Sequence, residues 1–450
     1  MENRRNHRNQ NHKTTYTHKN GRHTSVKQNA ICRHFGMCGG CQYLDLPYSE
    51  QLRKKQAYID RLLSPYGKGE PIIGMAEPSH YRHKVNAVFH RNRNGEIISG
   101  VYEEGTHHVL PVTSCYIENE KADQIIETIR GLLKSFKITV YHEDSGYGIL
   151  RHVMIRSGYA SGEIMVVLVT AGAFFPSKQN FAKALRKVHP EIITIVQNIN
   201  AKQTSMVLGD RDVVIYGKGY IMDSLCGKSF RLSPRSFYQV NPEQTEKLYQ
   251  TAISYAGLTG RETILDAYCG IGTIGIVASD AAGSVIAVEL NPEAVKDARI
   301  NAKLNQAKNV SVYQNDAGKF MVGLAAEGKQ VDVVFMDPPR SGSDEAFLSS
   351  VLKLAPSRIV YISCGPETLA RDLQYLTRSH AYRVEKFVPV DMFPFSQHCE
   401  SVVLLSRVCN TKRVQFPEDH AIAVRDWRAH SAKTERKQRT AEKVVLLSRV

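Results

Sequence analysis

Between residues 262 and 373, short apolar runs alternate with longer segments of helical period, and Gly, Pro, Asn or Asp stands at the junctions. "ETILDAYCGIGTIGI" (262–276) reads as a strand, a glycine-rich turn and the start of a helix. "SVIAVELNPEAVKDARINAKLN" (284–305) reads as a strand ending at Glu289 and a helix opened by Asn291 and Pro292. Three more strands end at Asp316 in "QNDAG", at Asp337 in "VDVVFMDPPRSG" and at Cys364 in "RIVYISC". Continuous apolar strands alternating with helices predict one parallel sheet buried on both faces. Every one of these polar marks then falls on its carboxyl edge, where open α/β sheets bind ligands.

Upstream, from Ile72 to about Cys226, the period changes to two. Runs such as "HKVNAVFHR" and "SMVLGDRDVVIYGKG" are separated by Gly-containing turns. They predict a mainly antiparallel sheet with helices near 118–136 and 177–188. The fold class expected is α/β: a Rossmann-like domain at 226–408 and a smaller, mainly antiparallel α+β domain at 71–225. A cysteine-bearing segment at 31–70 precedes them. "YRHKVNAVFHRNR" puts basic residues along one strand, which suits either an RNA-facing surface or a solvated strand face.

The ends differ from this globular pattern. Residues 1–30 hold seven Lys or Arg, one Glu and four His with hardly an apolar residue, and are expected to form a disordered basic arm. Residues 409–450 form a polar, basic tail in which "VVLLSRV" of 402–408 recurs at 444–450. With 450 residues and a formal charge of +15, the chain is large enough for several cores, and its likeliest large partner is a polyanion, nucleic acid first. No apolar run is long enough to span a membrane and no protein partner is evident. The nine cysteines show no small-domain disulfide pattern, and a cytoplasmic setting is expected.

Chemistry gathers at the strand ends. Glu289 follows Asp266 by 23 positions, near the offset at which an acidic side chain grips ribose hydroxyls. The turn Asp-x-Tyr-Cys-Gly-x-Gly has neither the dinucleotide phosphate spacing nor a P-loop lysine, and S-adenosylmethionine fits it better. Asp316 suits either this cofactor or a helix cap. Cys364 is either a small buried hydrophobe or a thiolate favoured by the helix that follows it.

A second group of thiols lies in "CRHFGMCGGC". Gaps of five and two residues let Cys32, Cys38 and Cys41 converge, and Cys115 from a distant segment would close the site. Spacing alone leaves zinc and an iron-sulfur cluster equally open.

"LDAYCGIGTIGI", "FMDPPRSG", "YISCGPETLARDL" and "DMFPFSQHCESVVLLSR" together resemble the RNA 5-methyluridine methyltransferase family, most closely its branch acting on 23S ribosomal RNA, over about residues 30–408. The resemblance implies methylation of uridine at carbon 5, with Gln239, Tyr268, Glu289 and Asp337 contacting S-adenosylmethionine. It makes Cys364 the nucleophile and Glu400 the general base, and favours a 4Fe-4S cluster on the four cysteines over zinc. Phe395 stands where related sequences often carry a polar residue, and Cys399 where an aliphatic one is usual. Neither change removes a group that the chemistry needs. A tRNA uridine-5 methyltransferase, an RNA cytosine-5 methyltransferase and a non-catalytic RNA-binding assembly factor are the alternatives.

Overall fold

The computed structural model describes residues 32–202 and 206–408. The basic arm, and the tail with its second VVLLSRV copy, lie outside the described residues. Helix α1 (Tyr48–Leu62) leads into the central domain: β1 (Lys84–Arg91), β2 (Ile97–Tyr102), β3 (Val109–Pro111), α2 (Glu120–Ser135), β4 (Leu150–Ser157), β5 (Ile164–Thr170), α3 (Lys178–Val188), β6 (Ile192–Ile199) and β7 (Arg211–Tyr216). The strands form one sheet in the order β3-β2-β1-β4-β5-β6-β7. Its described pairings are antiparallel except β5–β6, which the α3 crossover makes parallel. Both helices fall where the apolar period puts them.

This sheet serves as a wall between two cores. On one face α2 and α3 bury Ile125, Ile129, Phe181 and Leu185 against Val85, Val153 and Val166. On the other, Met154, Met165, Val167 and Val169 pack against a hairpin, β8 (Ile221–Leu225) and β9 (Lys228–Leu232), and the helix that follows it. Every residue of β4 and β5 is therefore buried, which accounts for the near-continuous apolar run of β5, IMVVLVT. The β1–β2 end of this second face is not covered by the hairpin. There Asn86, Val88 and Val101 line a cavity.

The second half continues with α4 (Pro242–Ala256), β10 (Thr263–Ala267), α5 (Thr273–Ala278), β11 (Ser284–Glu289), α6 (Pro292–Leu304), β12 (Val310–Gln314), α7 (Ala317–Ala326), β13 (Val333–Met336), α8 (Glu345–Leu354), β14 (Arg358–Ser363), α9 (Pro366–Thr377), β15 (Tyr382–Val390) and β16 (Glu400–Arg407). The strand order is β12-β11-β10-β13-β14-β16-β15. Succession from β10 runs outward to β11 on one side and to β13 on the other, so a crevice opens beside the glycine-rich turn. The first five strands are parallel, but β16 runs antiparallel to both β14 and β15. The sheet is thus mixed, where the sequence pattern predicts a purely parallel one. The chain reverses through residues 391–399 without a crossover helix, and β16 inserts between β14 and β15.

Helix α1 is part of this second half. Ile59 and Leu63 pack among Leu373, Leu376 and Phe387, and Ile73 bridges to Val390. Lys55, fully buried, reaches 2.5 Å from Asp391 Oδ1 and donates to the Phe393 carbonyl at 3.0 Å, while Tyr48 donates to Asp391 Oδ2 at 2.8 Å. A buried ion pair is weak support in itself, but removing one partner strands the other charge. Lys55→Met is expected to cost about 3–5 kcal/mol of stability in urea unfolding. A loss below about 1 kcal/mol, the worth of a surface pair, would contradict the description of this pair as buried and mutually dependent.

Candidate active site

The turn after β10 is held by the carboxylate that ends β11. After β10 the chain takes left-handed conformations at Tyr268 (φ 69°), Gly270 (φ 55°) and Gly272 (φ 85°), which only glycine adopts freely. Glu289 Oε2 accepts from Gly270 N at 3.0 Å and Oε1 from Asn291 N at 2.8 Å, so the carboxylate at the end of β11 steadies the glycine turn. Asp266, inside β10, accepts from Gly275 N at 2.8 Å. Burial, with the nearby charges of Asp337 and Glu289, pushes the Asp266 carboxyl up to about 7 against the opposing pull of the Gly275 amide. The Tyr268 ring packs on Phe347 at 4.9 Å. Asp316 caps α7, accepting from Lys319 N at 2.9 Å, so the capping alternative describes its visible contact.

The turns after β13 and β14 are tied to each other. Asp372 accepts from Ser343 N and from the Tyr361 hydroxyl, both at 2.8 Å, and Arg371 donates to the carbonyls of Ser341 and Ser343. Thr368 donates to the Arg340 carbonyl at 2.9 Å. Gly365 is required here, because a Cβ at that position would lie 2.7 Å from the Arg340 carbonyl oxygen. Asp337, at the head of one turn, and Cys364, at the head of the other, are thereby fixed relative to each other. Cys364 also directly precedes the N-cap of α9, whose N-terminal dipole favours an anion.

Glu400 arrives from the opposite direction. Ser363 pairs with Ser401 across the antiparallel β14–β16 ladder, so the residue after β14 and the first residue of β16 are adjacent positions. Cys364 and Glu400, 36 residues apart in sequence, are neighbours for this reason. Both line a cavity of about 480 Å³, together with Gln239, Asp337 and Arg340. Glu400 is 3% exposed and Gln239 is 8% exposed. The structure thus brings together Cys364, Glu400, Gln239 and Asp337. Tyr268, Glu289 and Asp316 occupy the neighbouring strand ends of the same edge, outside this cavity.

A family model described as tRNA (uracil-5-)-methyltransferase matches residues 47–408. The chain belongs to the tRNA (uracil-5-)-methyltransferase family. It is 44% identical over 381 residues to an uncharacterized RNA methyltransferase of Halalkalibacterium halodurans, covering 84% of this chain and 83% of the relative. A Bacillus cereus uncharacterized RNA methyltransferase is 40% identical over 387 residues, covering 85% and 84% respectively. Among solved structures, Pyrococcus abyssi tRNA (uracil-54, C5)-methyltransferase in complex with S-adenosyl-L-homocysteine is similar with a TM-score of 0.71. It is 25% identical, over 87% of this chain and 91% of that one. The resemblance to the uracil-5 RNA methyltransferase family, at the level of the family, and the Rossmann-like α/β fold are both borne out, and the chain is of an S-adenosylmethionine-dependent, RNA-modifying methyltransferase family. Among the described residues, no helix is long and apolar enough to cross a membrane.

Set in this methyltransferase fold, the cysteine segment forms part of the same cavity: Cys32, Cys38 and Cys115 line it. None of the described cysteines is in a disulfide. Burial raises the Cys38 thiol, with the charge of Cys32 adding to the rise. It pushes Cys41 up to about 12, helped by Cys38 and Cys32, and Cys115 is raised by burial, Glu118 and Cys41. The four sulfurs therefore lie within electrostatic reach of one another, and a cation would reverse their mutual penalty. Among the described residues, however, no three His, Cys, Asp or Glu side chains are already drawn together as ligands of a metal ion.

Other lining residues escape motif reading. Arg82, Asn86 and Val88 follow the two-residue period of the β1 face, and His152 sits opposite Val88 on β4. The alternation in "YRHKVNAV" is the signal that could have found the first three. His152 carries no such signal, because only the β1–β4 register brings it in. Burial lowers its imidazole to about 3, so it is neutral at physiological pH.

The raised Asp266 carboxyl has a consequence for stability. Its folded value lies above the unfolded one of about 4, so between about pH 4 and 7 the folded chain keeps a proton that the unfolded chain releases. Its contribution to stability is therefore present at low pH and lost as pH rises through that window. Asp266→Asn keeps an oxygen acceptor for Gly275 and should remove a fall on the order of a few kcal/mol across this range. Urea unfolding between pH 4 and 8 checks this, and an unchanged slope would contradict it.

Proposed function

We propose that this enzyme methylates carbon 5 of a uridine in 23S ribosomal RNA through a covalent adduct on Cys364. The observation that carries the reading is the Ser363–Ser401 register, which sets a thiol and a buried carboxylate at one cavity beside Gln239 and Asp337. The Cys364 thiolate adds to carbon 6 of uracil, moving an electron pair onto the ring as an enolate. Carbon 5 then takes the methyl group that S-adenosylmethionine supplies. Glu400 removes the proton left on carbon 5, and the returning electron pair expels the Cys364 thiolate. Gln239 and Asp337 would face the methyl donor from the cavity side. Tyr268, Glu289 and Asp316 would hold its nucleoside end.

The base must leave its stack to reach a cavity of this depth, which is cheapest in a single-stranded loop. The motif set and the cysteine segment support ribosomal RNA, and we read the reaction as cytoplasmic. A second reading, transfer RNA, is favoured by the structural similarity to a tRNA (uracil-54, C5)-methyltransferase. Mapping 5-methyluridine in both RNAs from cells with and without the gene decides: a site lost from 23S ribosomal RNA supports the first reading. Loss from transfer RNA alone overturns it in favour of the second. In the purified enzyme Cys364→Ala should lower turnover by more than about 10²-fold and form no adduct. Turnover near that of the unaltered enzyme would contradict the mechanism.

We further propose that Cys32, Cys38, Cys41 and Cys115 hold a 4Fe-4S cluster, which the all-thiol donor set fits. With four protein ligands it would serve as a staple between the cysteine loop and the Cys115 segment. Protein purified without oxygen should contain iron and acid-labile sulfide and absorb broadly near about 400 nm. Stoichiometric zinc without iron would overturn this.

A further inference from the structure

Residues 391–399 carry the chain from β15 to Glu400, and several of their backbone groups are held from outside the sheet. Gln244 donates to the Asp391 carbonyl, Asn241 to that of Met392 and Lys55 to that of Phe393, each at 3.0 Å. The tightest grip is on Phe395. Its N–H donates to Gln51 Oε1 at 2.9 Å, and its carbonyl accepts from the amides of Gln42 and Tyr43, both at 2.8 Å. Gln42 Oε1 also accepts from Gln397 N at 3.2 Å. Gln42 and Tyr43 directly follow Cys41, and Gln51 lies on α1, so the cysteine segment holds this loop.

Phe395 itself is in a left-handed conformation, φ 67°. A bulky residue stays there only where its surroundings over-determine it. Its ring packs at 5.1 Å from Tyr116, the residue after Cys115, and at 6.3 Å from Tyr48 of α1. The phenylalanine at this usually polar position therefore joins both parts of the cysteine segment to the loop that delivers the base.

We propose that Gln42 and Gln51 are positioning residues for Glu400: the Gln51 side chain holds Phe395 N and the Gln42 side chain holds Gln397 N, and by fixing this loop they set the carboxylate for removal of the carbon 5 proton. This rests on the adduct mechanism above. Because only the last step needs Glu400, a loosened clamp slows release of the methylated ring from Cys364 and leaves substrate binding and thiol addition in place.

The test measures kcat, KM and the fraction of enzyme bonded to methyl-labelled RNA. The substrate is ribosomal and transfer RNA from cells lacking the gene, with Glu400→Gln run in parallel. Gln42→Ala and Gln51→Leu should lower kcat about tenfold with KM changed less than about twofold, and should raise the trapped methylated fraction. A purely structural role would instead lower adduct and product together with the folded fraction, and that result overturns the proposal. If Gln51→Leu does not fold, the half-exposed Gln42 carries the test. If Glu400→Gln traps adduct while both glutamine variants partition normally, the positioning role fails alone. If Glu400→Gln traps none, the adduct mechanism and this inference fall together.

Discussion

One antiparallel pairing organises the reaction centre. Strands that run parallel can bring their carboxyl ends to one edge, and five of them do so here. They cannot bring the start of a strand to that edge. Only a strand inserted in the opposite direction does, and β16 is that strand, with Ser401 in register with Ser363. Shifting the ladder by one residue would turn Glu400 to the other face of the sheet. In the proposed mechanism, proton removal at carbon 5 therefore depends on a register held by the whole β14–β16–β15 ladder.

The rest of the molecule builds walls around that edge and makes it a partly open cavity. The central sheet gives up half of one face to the hairpin core and offers the other half, with Asn86 and Val88, as a wall. The cysteine segment closes a further side and reaches the base loop through Phe395. In the proposed mechanism this lining strengthens electrostatic interactions at the reacting ring. It also explains why α1, far from the catalytic sheet in sequence, buries Ile59, Leu63 and Lys55 against it.

Much of this was legible in the sequence because it is local. A strand, a turn and a helix leave their mark within about 25 residues, so Glu289, Asp337 and Cys364 could be placed on one edge before the fold was known. The helices at 120–135 and 178–188 were equally plain from their apolar period. What stayed hidden is non-local. "ESVVLLSR" reads as a strand, but nothing in it gives direction or neighbour, so Glu400 was reached only through resemblance. His152 depends on a cross-strand register, and the clamp on Phe395 depends on glutamines more than 340 positions away. Asp316 was placed on the edge by the same logic; its visible contact is a helix cap through one carboxylate oxygen, and its part toward the methyl donor is a proposal.

The central claim is that Cys364 bonds to carbon 6 of a uridine while the carboxylate beside it takes the proton from carbon 5. RNA containing 5-fluorouridine tests it most directly, because a fluorine at carbon 5 cannot be removed as a proton and elimination of the thiolate is blocked. Incubated with S-adenosylmethionine and this RNA, the enzyme should form a stable protein–RNA adduct that survives denaturation. Mass spectrometry of its digest should place the methylated nucleotide on the peptide containing Cys364. No adduct, or one on any other cysteine, would contradict the account.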